Sequence, residues 1–231
     1  MLKFVFGRSG CGKSDYVFNQ IKELAISGEN NILLLTPEQY SLVAERRLLN
    51  DLGEDKVNCV DNSSFSRISN DVRRKYGSDA LPTLSKGGKV ILMCKAIDNC
   101  KDNFQLFNKN LDSLSFVTSM INIYDEMKSC NLDSLQINEL SKNIDNQVLY
   151  KKLADISLIM SAYELLIKDR FNDSSNELTR IYNQIFDKGY FKNKYVFIDG
   201  FNGFVAQEYK LLELIIAEAN CVTITLCTDS Y

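Results

Sequence analysis

Two kinds of hydrophobic pattern divide this sequence. The first is the short continuous apolar run: Leu2-Lys3-Phe4-Val5-Phe6, Asn31-Ile32-Leu33-Leu34-Leu35, Val57-Asn58-Cys59-Val60, Tyr195-Val196-Phe197-Ile198 and Val222-Thr223-Ile224-Thr225-Leu226. Each reads as a short strand, and the unbroken Ile32-Leu33-Leu34-Leu35 is what a strand buried on both faces of a parallel sheet requires. The second is helical spacing between them. Tyr16, Val17, Gln20, Ile21 and Leu24 recur at helical intervals after the first run, and Leu42, Val43, Arg46, Leu49 and Leu52 after the second. Thr36-Pro37-Glu38-Gln39 reads as the start of that second helix, with Thr36 as cap, Pro37 in the first turn and Gln39 closing a capping box. A third helix follows Ser63-Ser64 and runs towards Tyr76. Strand and helix in alternation predict an α/β fold with a parallel sheet in which Leu2–Phe6 is a buried strand.

Near Leu81-Pro82-Thr83 the pattern changes. From Ser85 to about Lys188 it is helical and poor in strand signals. Leu111, Leu114, Val117, Ile121 and Tyr124 mark one helix; Leu149, Leu153, Ile156, Ile159, Met160 and Tyr163 mark another. Ser174-Ser175-Asn176-Glu177 reads as a further capping box. The expected organisation is an α/β domain of residues 1–84 and 190–231 interrupted by an all-helical insertion, 85–189. The helix over Gln207–Ala219 and the last strand complete the α/β pattern, and a sheet stopping so close to Tyr231 reads as a segment of a longer chain.

Composition narrows the chemistry. The 231 residues contain no histidine, which removes every mechanism built on a Ser-His or Cys-His pair or a His-ligated metal. Seven cysteines, at 11, 59, 94, 100, 130, 221 and 227, form no C-x-x-C pair, so a zinc or iron–sulfur site within these residues is not expected. A net charge of −3 argues against a free-standing nucleic-acid binder but leaves room for a local basic groove. No apolar run approaches the ~20 residues needed to span a bilayer, and no leader precedes the first strand, so a cytoplasmic protein without a membrane association is expected.

Between the first strand and first helix stands Gly7-Arg8-Ser9-Gly10-Cys11-Gly12-Lys13-Ser14, an ungapped G-x-x-x-x-G-K-[ST] phosphate-binding loop. Its glycines let backbone amides turn towards phosphate oxygens, and the helix adds the positive end of its dipole. Lys13 is expected to reach the outer phosphates of ATP, and the Ser14 hydroxyl to enter the shell of a magnesium ion. Asp199, at the carboxyl end of an apolar strand, is the candidate second magnesium holder. Gly200 follows where many such ATPases carry a water-orienting glutamate, and Glu208 reads as a helix-start acid. Nucleotide binding with little turnover is expected.

The order of Gly7 to Ser14, Thr36-Pro37-Glu38-Gln39-Tyr40, Ser64-Phe65-Ser66-Arg67 and Phe197-Ile198-Asp199-Gly200-Phe201-Asn202-Gly203-Phe204 resembles that of superfamily 1 helicases, and most of all the N-terminal part of the B subunits of bacterial AddAB helicase–nucleases. The resemblance implies a RecA-like P-loop domain of the helicase 1A type with a 1B-type helical insertion. It implies a role at DNA ends in recombinational repair of double-strand breaks, beside an AddA-type motor and nuclease partner. Thr36, Gln39, Tyr40, Phe65, Ser66 and Arg67 match the helicase segments that touch single-stranded DNA. The nuclease and 4Fe-4S cluster of such proteins lie near their C-terminus and have no counterpart in these residues. Two other readings stay open: a P-loop kinase for a nucleotide or small metabolite, and a non-hydrolysing ATP-binding scaffold.

Overall fold

In the computed structural model, which describes residues 1–77, 81–142 and 144–228, the chain is an α/β protein with one five-stranded parallel sheet and, among those residues, nine α-helices. It forms two compact units, residues 1–77 with 180–231 and residues 78–179.

The first unit opens with β1 (Leu2–Gly7), α1 (Lys13–Ile26), β2 (Ile32–Leu35), α2 (Ser41–Lys56), β3 (Val60–Ser63) and α3 (Phe65–Tyr76). The second holds α4 (Lys86–Cys100), α5 (Leu114–Ser129), α6 (Ser134–Ser141) and α7 (Gln147–Ile167). The chain continues through α8 (Glu177–Ile185) to β4 (Tyr195–Ile198), α9 (Ala206–Glu218) and β5 (Cys221–Cys227), which return to the sheet.

The strand order is β1-β5-β4-β2-β3, every neighbouring pair being parallel. β2 and most of β4 are wholly buried, as their unbroken apolar runs require. Val17 and Ile21 of α1 and Ala44 and Leu48 of α2 pack on Ile32, Leu34 and Phe197 of one sheet face. β1 departs from expectation: it is the sheet's edge, and Leu2, Phe4 and Phe6 are 40%, 48% and 43% exposed. Apolar continuity identifies a strand but not its rank across the sheet.

Other departures are local. Thr36 does not cap a helix: its amide donates to Ser63 O at 3.0 Å, Pro37 is extended (ψ 145°), and α2 begins only at Ser41 after a 3₁₀ turn over Glu38–Tyr40. The α2 face turned inward is Ser41, Ala44 and Leu48, while Leu42, Val43 and Leu49 are exposed. β3 starts three residues later than the apolar run, because Val57–Cys59 forms a 3₁₀ turn and the ladder pairs Val60 with Ile32. α5 starts at Leu114 under a Ser113 cap, leaving Leu111 outside it, and the turn over Ser174–Asn176 is capped by Asp173.

In the helical unit, Met93, Ile97, Val117, Met120, Ile159 and Met160 surround an edge-to-face Tyr124–Tyr163 pair. Buried charge is partnered. Lys89 meets Asp173 at 2.7 Å and Asp125 at 2.9 Å; burial disfavours its ammonium, and the two carboxylates outweigh burial and hold its pKa above the usual lysine range. Asp155, 1% exposed, accepts from the amides of Gln105, Leu106 and Phe107 at 2.7–2.9 Å and so pins that loop onto α7.

Candidate functional site

The loop from β1 to α1 is shaped by two of its glycines. Gly12 has φ 88°, a left-handed conformation that side chains disfavour. A Cβ at Gly7 would collide with Cys11 Sγ, so a side chain there would oblige the Cys11 side chain to turn away. α1 then begins without a side-chain cap, its first turn marked by the Tyr16 amide donating to Gly12 O at 3.0 Å. The early amides of such a helix have no intrahelical partner and attract an anion, as does the dipole. The Lys13 ammonium donates to Gly7 O at 2.8 Å and Arg8 O at 2.7 Å, with Cys11 Sγ 4.0 Å away. It is thus tethered to the loop it would serve.

Lys13, Ser14 and Asp199 line one cleft of about 460 Å³ at the carboxyl edge of the sheet. β5 lies between the loop-bearing β1 and the Asp199-bearing β4. Asp199 is 6% exposed, its amide donates to Leu35 O at 3.0 Å, and its Oδ1 accepts from Thr225 Oγ1 at 2.6 Å. That bond fixes the carboxylate's orientation. The far wall carries Arg47 of α2, whose guanidinium lies 4.1 Å from the centre of the Phe18 ring and donates to Asp15 at 2.7 Å. Ser9, Gly10, Gly12, Phe18, Tyr40 and Phe201 complete much of the lining.

The segments after β2 and β3 are joined. Glu38 accepts from Ser64 Oγ and Ser66 Oγ, and Ser64 Oγ also caps α3 by accepting from the Arg67 amide at 3.2 Å. The two hydroxyls, with Arg67 as a lesser influence, hold the Glu38 carboxyl below the usual glutamate range. Arg67 donates to Glu45 at 2.5 Å. Gln39, Tyr40, Ser66 and Arg67 are exposed. Two residues expected to meet DNA are not on the surface. Phe65 is 7% exposed and packs edge-on against Phe201 and Phe204, so its ring has no free face for a base; Thr36, 3% exposed, lines the cleft instead.

Comparison with known proteins follows the same outline. The model of the family described as ADDB, N-terminal, matches residues 4–231. The chain belongs to the ADDB N-terminal family. Among curated relatives it is 32% identical over 230 residues to the B subunit of the ATP-dependent helicase/deoxyribonuclease of Ruminiclostridium cellulolyticum, covering 99% of this chain and 20% of that one. The corresponding B subunits of Clostridium tetani and Clostridioides difficile are each 33% identical, over 231 and 232 residues, with 98% and 99% of this chain and 20% of each relative covered. The chain therefore spans about a fifth of the length of the curated relatives it matches.

Within this ADDB N-terminal chain, several cleft residues were not singled out from sequence. Arg47 and Asp15 belong to no motif in the sequence, and only the fold brings them together at the cleft. Thr225 had a faint signal: in β5, Cys221, Thr223 and Thr225 alternate with apolar residues, which gives one face of a central strand unusual polarity. Gly200 occupies the turn after Asp199. Glu208 accepts from the Val205 amide at 2.9 Å and caps its own helix; half-buried there, its carboxyl is pushed above the usual range by burial. No described helix is long and apolar enough to cross a membrane.

Proposed function

We propose that this ADDB N-terminal chain is a RecA-like module that binds ATP with magnesium and, as part of a helicase/deoxyribonuclease B subunit, works in the cytoplasm on DNA ends beside an AddA-type partner. The observation that carries the reading is the convergence of Lys13, Ser14 and Asp199 on one cleft. The donor chemistry fits: magnesium favours hard oxygen ligands, and the protein offers a hydroxyl on α1 and an oriented carboxylate on β4. When bound, the ion neutralises phosphate charge. The loop amides and the α1 dipole cradle the phosphates, and Lys13 exchanges the carbonyls of Gly7 and Arg8 for phosphate oxygens. The partly exposed ring of Phe201 on the lining suits a nucleobase.

Binding without efficient hydrolysis is the form that the cleft favours. Its acidic lining is Asp15, paired with Arg47, and Asp199, paired with Thr225. Gly200 supplies no carboxylate to orient water, and Glu208 is engaged in capping. In this reading Gln39, Tyr40, Ser66 and Arg67, drawn together through Glu38, form the single-strand contact.

Lys13→Ala tests the assignment. Loss of a charge-assisted contact worth about 1.5–3 kcal/mol weakens MgATP binding roughly 10- to 150-fold. Calorimetric titration that finds wild-type affinity in a folded Lys13→Ala chain refutes it.

A further inference from the structure

The carboxyl edge of the sheet carries a row of three polar side chains. The ladders pair Leu35 with Ile198 and Ile198 with Ile224, so the next residues, Thr36, Asp199 and Thr225, stand side by side across β2, β4 and β5. They are 3%, 6% and 4% exposed, and all three line the cleft. Two of them satisfy one another through the Thr225–Asp199 bond. The third does not: Thr36 Oγ1 is buried without a hydrogen-bond partner among the described residues. Its own amide is committed to Ser63, and the helix cap that its sequence context suggests is not formed. An unpaired buried hydroxyl is costly, and it persists where another requirement fixes it.

We propose that Thr36 is a positioning residue for the hydrated divalent cation that accompanies the nucleotide, an inference that rests on the nucleotide reading of this cleft. The Thr36 hydroxyl and the Asp199 carboxylate share a water of the cation's hydration shell, and Thr225 holds the carboxylate for that purpose. Magnesium dehydrates reluctantly and keeps several waters, so a neighbouring hydroxyl and carboxylate are the groups its outer shell needs.

The test is nucleotide affinity of the chain measured at a series of free magnesium concentrations and again in excess chelator. In Thr36→Val, which keeps the shape and loses the hydroxyl, the magnesium concentration giving half of the affinity gain rises about three- to tenfold, as expected for one hydrogen bond. Metal-free affinity is unchanged, and the melting temperature stays at or above wild type because an unsatisfied group has been removed. Thr36→Ser restores the wild-type magnesium response. A wild-type magnesium response in Thr36→Val overturns the proposal, as does an equal loss of affinity with and without metal. If Lys13→Ala binds MgATP normally, the nucleotide reading itself fails; if only Lys13→Ala is defective, that reading stands and the role given to Thr36 falls.

Discussion

Helix starts in the helical unit differ from the one that opens on the cleft, although α3 of the α/β unit is itself capped, by Ser64. In the helical unit, α4, α5, α6 and α7 are capped by the side chains of Ser85, Ser113, Asp133 and Asn146, and Asp133 forms a full capping box with Gln136. At the cleft, α1 follows Gly12 with no side-chain cap, whereas α2 continues out of the 3₁₀ turn over Glu38–Tyr40, its Ser41 amide donating to Glu38 O. Among buried polar groups, Lys89 and Asp155 of the helical unit and Asp199 of the cleft are engaged, whereas Thr36 Oγ1 has no hydrogen bond among the described residues. A helix that only has to be stable supplies its own acceptor. One that has to receive an anion leaves its amides for the visitor.

This contrast can be broken at several points. The largest effect is expected from Asp155→Ala, which strips the acceptor from three partly buried amides. A loss of about 3 kcal/mol or more corresponds to a fall of roughly 6–12 °C in the melting of the whole chain, with MgATP affinity at the cleft unchanged. A calorimetric scan showing less than a degree of change contradicts the view that this unit depends on complete polar satisfaction. Ser113→Ala comes next. Loss of one cap costs about 1 kcal/mol, a shift of some 2–4 °C, again without a change in nucleotide affinity. A nucleotide-linked defect in Ser113→Ala would erase the distinction between the two sets of helix starts.

The smallest effect concerns the Glu38 clamp, which is exposed. Its carboxyl titrates below the ordinary glutamate value because Ser64 and Ser66 donate to the charged form. The clamp's contribution is therefore complete above the unfolded pKa of about 4.3, and is lost as pH falls through the lower folded value. Hydrogen exchange of residues 36–40 should quicken, beyond the intrinsic pH trend, only in that acidic window. Glu38→Gln should show the faster exchange already at neutral pH. Equal protection in Glu38→Gln and wild type would remove the clamp from the account.

Much of the α/β unit was legible because its determinants are local. The phosphate loop is contiguous, β2 and β4 are unbroken apolar runs, and α3 announces itself by Ser64. What escaped depends on neighbours distant in sequence. Thr36 has the composition of a cap, yet its bond to Ser63 draws it into the ladder and delays α2 to Ser41. β3 hides its true span because its exposed middle is Asp61 and the half-buried Asn62, whose amide donates to Ser41 O at 2.9 Å. Phe65 reads from sequence either as a base-stacking aromatic or as a core residue, and it is Phe201 and Phe204, from the far end of the chain, that place it in the core. The Asp199–Thr225 pair likewise exists only once β4 and β5 lie side by side.

The uncovered border formed by β1 has a practical side. Phe4 and Phe6 stack with ring centres 5.8 Å apart beside Leu2, on a strand whose outer amides and carbonyls face no other strand among the described residues. Such a rim is adhesive. Solutions of the 231-residue polypeptide should therefore grow in apparent mass as they are concentrated, and a lysine in place of Phe4 should keep them dispersed without touching the nucleotide cleft.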